Sequence, residues 1–302
     1  MARSSSKKPA AAKPAGPAGQ ARETRQDGSF WGPLELSRGQ AARAQIGRLR
    51  AEIHRAEDDW WVLTEELPEE GQDPEEAERE LQPWEVSASE APEAPVAGSQ
   101  PHLDVRRLLI DSDSVEVRPA LADRSVIVRP TARIAVAPRS SVVLYVGTPI
   151  WFEVTCDDLV LYSRPVHRPP DTWFGTFYEG ELCYAARTQG RLRLANLATF
   201  PARAVTRVEI ENVSAQIFEF DRVNLPVPSL ALYRGERWLW TDGVRMVKAD
   251  EPAYAELDIQ RGAPKGVEGG VETTLVRSPR LRRGEHSRFR AFGSRALEAL
   301  FG

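Results

Sequence analysis

Between Asp104 and Gln260 apolar and polar residues alternate in short runs that recur every 8–12 residues. SVEVRPA, SVIVRP, RIAVAP, SSVVLYVG, IWFEVT and LVLYSRP come first, followed by GELCYAAR, GRLRLANL, AVTRVEIENV, AQIFEFDRV, SLALYR, RWLWTD, VRMVKA and AYAELDIQ. A period of two puts one side-chain set on a core and the other toward solvent, which is the signature of β-strands. Turn-forming residues separate the runs, as at Arg187-Thr188-Gln189-Gly190, Arg234-Gly235-Glu236 and Asp242-Gly243, and read as hairpin connections. The segment GELCYAARTQGRLRLAN predicts a hairpin in which Leu182, Tyr184 and Ala186 face Leu192, Leu194 and Asn196. No helical pattern of 10–15 residues intervenes between runs, so βαβ units are disfavoured. The expected fold is all-β, an antiparallel β-sandwich or barrel-like sandwich.

Outside this stretch the pattern divides the chain into further parts. Residues 1–28 hold Ala, Pro, Gly, Lys and Ser with no large apolar side chain after Met1, so burial cannot offset chain entropy and a disordered basic tail is expected. Residues 29–66 begin with FWGPLELS and continue into IGRLRAEIHRAEDDWWVLTEE. There Leu49, Ala51 and Ile53 alternate with charged neighbours, although Ile46, Leu49 and Ile53 also fit a helical stripe. Trp60, Trp61, Val62 and Thr64 are strand formers, which favours a β-hairpin turning at Ala56–Asp59 and joining the main β domain of residues 101–262. Residues 67–100 are acidic and rich in Pro, Ala and Ser, the composition of a disordered insertion, with at most a short helix near Pro74–Leu81. In residues 263–302, Phe289, Phe292, Ala296 and Leu300 fall at helical spacing, which predicts a marginal amphipathic terminal helix that Gly293 weakens by about 1 kcal/mol.

Charge sharpens this division. Residues 1–64 carry 11 basic and 7 acidic groups, residues 65–100 carry 1 and 12, and residues 101–302 carry 28 and 25. A block of net charge -11 therefore sits between two mildly basic regions, hidden inside an overall charge of -4. No apolar run reaches the ~18–20 residues that span a bilayer, and the basic N-terminus lacks the apolar core of a secretory signal. Two cysteines, Cys156 and Cys183, both in apolar strand patterns, are too few for a disulfide scaffold. The cytoplasm is the expected address.

Candidate chemistry concentrates in YSRPVHRPPDTWFGTFYEGELCY, residues 162–184. Arg164, His167, Arg168, Asp171, Glu179 and Glu181 are interleaved there with Trp173, Phe174, Phe177 and Tyr178, and prolines fix the path of the chain. Two readings follow: a pocket lined by Arg164, His167, Arg168, Asp171, Trp173, Glu179 and Glu181, with His167 as acid or base and the arginines clamping an anion, or a crossover loop pinned by ion pairs and aromatics. The histidines at 54, 102, 167 and 286 have no metal-ligand spacing, and phosphate-cradling or nucleophile-elbow motifs are absent. No catalytic residue, metal or cofactor is therefore assigned. Glu209 and Glu211 alternate with Val208 and Ile210, the solvated side of a strand. A nucleic-acid role would require basic groups interleaved with exposed aromatics over a large face, and none is expected. At the C-terminus, Arg282, Arg283, Arg288 and Arg290 with Phe289 and Phe292 form a candidate surface for anionic lipid or a partner.

Three motifs carry a resemblance: PVHRPPDTWFG…EGELCYAARTQGRLRL, VEIENVSAQIFEFDRVNLPVPSLALY…WLWTDGVRM, and the FWGP segment with the IGRL…WW hairpin. Over roughly Phe30–Lys265 the sequence resembles the prokaryotic domain-of-unknown-function family 432, with the acidic insertion peculiar to this chain. The resemblance implies no assigned activity and no catalytic residues to carry over. The leading expectation is a non-enzymatic module that binds a protein or a membrane-associated partner. A small-molecule or glycan site at residues 162–184 and membrane attachment through the C-terminal basic helix are the alternatives.

Overall fold

A computed structural model describes residues 23–24, 30–68, 79–89, 103–198, 200–236, 238–248, 250, 253–262, 272–282 and 287–293, with the side chains of residues 187–189 left out. The N-terminal part is a six-stranded antiparallel sheet. Its strands are β1 (Glu23–Thr24), β3 (Gln40–Ile46), β4 (Leu49–Arg55), β5 (Trp60–Glu66), β6 (Leu81–Ala88) and β7 (Leu103–Leu108), in the order β1-β6-β3-β4-β5-β7, while β2 (Gly32–Glu35) joins the main sheet. The strand-forming run after Leu49 makes the expected hairpin: Leu49–Arg55 pairs with Trp60–Glu66, and the Ala56 N–H closes the turn on the Asp59 carbonyl at 2.9 Å.

The remaining strands are β8 (Ser114–Leu121), β9 (Val126–Pro130), β10 (Ile134–Val136), β11 (Ser140–Cys156), β12 (Leu159–Pro165), β13 (Asp171–Phe174), β14 (Glu181–Gly190) and β15 (Arg203–Asn212). Then follow β16 (Phe218–Phe220), β17 (Arg222–Leu225), β18 (Leu232–Gly235), β19 (Leu239–Thr241), β20 (Gly243–Lys248), β21 (Tyr254–Gln260), β22 (Thr273–Arg277), β23 (Ser287–Arg290) and β24 (Phe292–Gly293). The architecture is all-β, built from curled sheets. Strand β11 explains the curl. Its first half, Ser140–Pro149, pairs with β15, and its second half, Ile150–Thr155, pairs with β8 and β12. Every residue from Val146 to Thr155 is buried, because both faces of this segment are covered. An aromatic cluster locks the N-terminal sheet onto it. The rings of Phe30 and Trp84 lie 5.5 Å apart, Trp84 lies 6.5 Å from Phe152, and the Trp84 indole N–H donates to the Phe30 carbonyl at 2.8 Å. One hydrophobic core therefore runs through both regions.

Several sequence expectations are corrected. Leu81–Ala88, inside the insertion expected to be disordered, is strand β6 between β1 and β3. Only Trp84 among its residues is fully buried, so one large aromatic anchors a segment whose average composition is that of a linker. Glu23 and Thr24, within the expected tail, pair with Val86 and Glu85. The remainder of residues 1–29, residues 69–78, which include 74–78 of the short-helix expectation, and residues 90–102 lie outside the described residues.

The described part of the expected C-terminal helix, residues 287–293, forms strands β23 and β24 instead. Phe289 is 5% and Phe292 2% exposed, packed in the core, where Phe292 meets Phe218 at 4.8 Å edge-on. In this segment strand pairing to β21 and β17 satisfies the backbone, and a helix through Gly293 would forgo it. Ala296 and Leu300 lie outside the described residues. The hairpin expected across Arg187–Gly190 does not form either. Strand β14 continues to Gly190 alongside β9 in parallel, and Leu194–Asn196 is a short 3-10 turn. Asp242-Gly243 is not a hairpin turn. Strands β19 and β20 on either side both run parallel to β15, so Asp242 interrupts one strand line. Its buried carboxylate accepts from the Ala231 and Gly262 backbone N–H groups, the Tyr233 hydroxyl and Arg261. Among the described residues no helix is long and apolar enough to cross a membrane.

Candidate functional site

The segment of residues 162–184 comprises the end of β12, an irregular connection over residues 166–170, and a β-hairpin. Strands β13 and β14 pair antiparallel, Asp171 with Tyr184, Thr172 with Cys183, Trp173 with Leu182 and Phe174 with Glu181. Alternation sends Phe174 and Cys183 inward against Ile127. Burial pushes the Cys183 thiol up to about 12, which makes it a packing group rather than a nucleophile. Trp173 and Leu182 share the outer face, 52% and 47% exposed.

The six-residue connection, residues 175–180, is held rigidly. Gly175 has φ +113°, open to glycine but strained for other residues. The Trp173 ring lies against Gly180 so closely that a Cβ there would stand 2.2 Å from the indole nitrogen. That nitrogen donates to the Thr176 carbonyl at 3.0 Å, and the Glu179 N–H donates to the Thr176 hydroxyl at 3.2 Å. Outside the hairpin, Arg290 donates to the Glu179 carboxylate at 3.0 Å, and the Tyr254 hydroxyl donates to the same oxygen at 3.2 Å. Arg288 and Arg290 stand 5.1 and 4.9 Å from the Tyr254 ring centroid.

This scaffold presents Phe177 and Tyr178, 87% and 93% exposed, with their rings edge-on at 5.3 Å. Among the described residues, Trp173, Phe177 and Tyr178 are the three exposed large aromatics, and all stand on this one hairpin. These side chains place three exposed aromatic surfaces on one turn whose backbone is tied by the Trp173 and Thr176 hydrogen bonds.

The polar residues singled out in the sequence go to separate places. His167 and Arg164 face the N-terminal sheet: His167 Nδ1 lies 3.0 Å from Glu66 Oε1, and Arg164 donates to the Thr64 hydroxyl at 2.8 Å. The hydrogen bond from His167 holds the Glu66 carboxyl below its ordinary range, against the opposing effect of burial. Beside them the Tyr162 hydroxyl, pushed up to about 12 by burial, sits 2.6 Å from Thr64 Oγ1 and donates to Asp104 at 2.9 Å. Arg168 and Asp171 pair with each other at 3.4 Å, and Arg124 reaches Asp171 at 3.1 Å. Glu181 turns inward to accept from the Asn224 amide at 2.5 Å. Trp173 and Glu179 alone belong to the hairpin tip.

Of the C-terminal candidates, Arg288 and Arg290 border that same tip through Tyr254, Arg282 is exposed, and Arg283 lies outside the described residues. Phe289 and Phe292, in the core, are corrected as surface-binding residues. Sequence reasoning passed over Phe177, Tyr178 and Tyr254 as site residues. The available signal was the sequence Gly-Thr-Phe-Tyr-Glu-Gly, where two aromatics occupy a turn in which polar residues are the norm.

Among the described residues no group of three or more His, Cys, Asp or Glu side chains stands together to hold a metal ion. In comparison with known proteins, residues 30–295 match the family described as Protein of unknown function (DUF432). No curated protein and no solved structure matches the chain.

Proposed function

We propose, of a chain that belongs to the DUF432 family, that it is a non-enzymatic binding module that docks on a partner protein through the Phe177–Tyr178 tip of the β13–β14 hairpin. The observation that carries this reading is the gathering of the exposed aromatics on one braced turn. Aromatic side chains dominate the energetic centres of protein interfaces. Burying two of them contributes about 3–5 kcal/mol on transfer grounds. A turn already fixed by Trp173, Thr176 and the Glu179–Arg290 pair loses little further freedom on binding.

The apolar character of the tip favours a protein partner. Glu179 at its base engages Arg290 within the molecule, so the two exposed rings form an apolar wedge beside an internally paired carboxylate. The matching partner surface is an apolar concavity with an acceptor for the Tyr178 hydroxyl. The dispersal of Arg164, His167, Arg168, Asp171, Glu179 and Glu181 into distinct ion pairs and hydrogen bonds supports this reading over a small-molecule pocket. Two free thiols, Cys156 and Cys183, support a reducing, cytoplasmic location.

Affinity purification of the full chain from its native cells tests the proposal, comparing the wild type with Phe177→Ser/Tyr178→Ser. A partner recovered with the wild type, lost with the variant and rebinding as a purified protein is expected, with the thermal midpoint unchanged. Retention of the same partners by the variant would remove the tip from the interface.

A further inference from the structure

A second region of interest lies on the large sheet, where β22 pairs with the edge of β18. In the segment Glu272–Arg282 no residue is buried, and Leu275 and Leu281 are 55% and 56% exposed. A strand with no fully buried side chain, its Val276 only partly covered, contributes little hydrophobic adhesion. It is held instead by backbone pairing, Gly235 with Thr273 through Leu232 with Arg277, by Leu281 N–H on the Pro228 carbonyl at 2.8 Å, and by two arginines.

Both arginines converge on one carboxylate. Glu153, on the buried second half of β11, is fully enclosed, with Arg277 Nη2 2.9 Å from Oε2 and Arg280 Nη2 2.9 Å from Oε1. Arg280 also donates through Nε to the Leu121 carbonyl at 3.0 Å. Within the sheet, Ser163 donates to Oε1 at 3.1 Å. A buried carboxylate requires charged partners, and here both come from a surface segment with little apolar anchorage. Its Oε2 faces Arg277, while Oε1 takes both Arg280 and Ser163.

We propose that the β18 edge together with Glu153 forms a binding site for an extended peptide segment of a partner protein bearing two arginines three residues apart, and that Thr273–Arg280 occupies it in competition with that segment. The edge supplies main-chain hydrogen bonds, as in other cases of strand addition, and Glu153 reads the arginine pair. Pro279 between the two arginines keeps the native occupant extended. This site is independent of the aromatic hairpin.

A fluorescent synthetic peptide with the sequence of residues 272–282 is the probe, measured by anisotropy against the full chain. Replacing the intramolecular anchors by Arg277→Ala/Arg280→Ala should raise its affinity about tenfold over the wild type, and alanine at both arginines of the peptide should lower it by at least about tenfold. If the double variant unfolds, hydrogen exchange on the wild type decides. Excess peptide should then speed exchange of the Thr273–Arg277 amides while Leu232–Gly235 stays protected. Binding that ignores the peptide arginines, absence of both effects, or a doubled mass from exchange of the segment between two copies without peptide uptake would overturn the proposal.

Discussion

Arg290 Nη2 donates to Glu179 Oε2 at 3.0 Å, tying strand β23 to the tip of a hairpin 111 residues earlier in the chain. The two regions that the sequence marked as separate candidates thus meet at one point, with the Tyr254 hydroxyl bridging the same carboxylate. The side chain of Glu179 is 65% exposed, so the pair adds little to global stability. Its effect is local, on the order of the turn.

Replacing Glu179 by glutamine is therefore expected to shift stability by less than about 1 kcal/mol. Amide exchange across residues 176–180 should accelerate several-fold, because the Thr176 bonds then hold the turn alone. Hydrogen-exchange mass spectrometry reads both effects in one experiment.

Gly180→Ala tests the rigidity of the tip from the other side. An added Cβ 2.2 Å from Trp173 Nε1 must expel the indole, breaking its bond to the Thr176 carbonyl, at a cost of about 1–3 kcal/mol. Red-shifted tryptophan emission and weaker partner binding are expected, with the Trp84 and Trp60 core intact.

Acid stability should depend on Glu66. Its folded-state pKa lies below its ordinary value of 4.5, chiefly through the His167 hydrogen bond. The stabilisation is therefore complete above that ordinary value and is lost as pH falls through the lowered one. Glu66→Gln should make the decline of urea midpoints below pH 4.5 shallower than in the wild type.

Alkaline stability should depend on Tyr233. Burial, with the hydrogen bond to Asp242 next, pushes its hydroxyl from 10.0 up to about 12. The raised pKa keeps the stabilisation whole below pH 10, and it is lost as pH climbs toward 12. Tyr233→Phe is expected to lose about 1–2 kcal/mol near neutrality, since a donor to the buried Asp242 carboxylate disappears. The same variant should show a shallower decline between pH 10 and 12.

Much of the fold was legible because period-two alternation reports burial directly. Leu49, Ala51 and Ile53 all face the core, as their spacing requires. What escaped depended on pairing partners far away in sequence. Strand β6 hangs on the single Trp84, which composition averages into an acidic linker. Phe289 and Phe292 fit a helical stripe and a strand equally well, and long-range pairing with β21 and β17 decided the matter. In the candidate site the residues are close in sequence, but strand alternation and the chain path distributed their side chains to different faces. Cys183 and Phe174 went inward while Trp173 and Leu182 went outward, and that division depends on a register that local sequence does not reveal.

The most direct test of the central claim is site-specific photo-crosslinking in the native cell. A photoreactive residue is placed at Tyr178 and, for comparison, at Leu159, which is 65% exposed on another hairpin. A discrete heteromeric product from position 178, absent from position 159, is the expected result. Equal labelling from both positions, or none from position 178, would contradict the assignment of Phe177 and Tyr178 as the docking wedge.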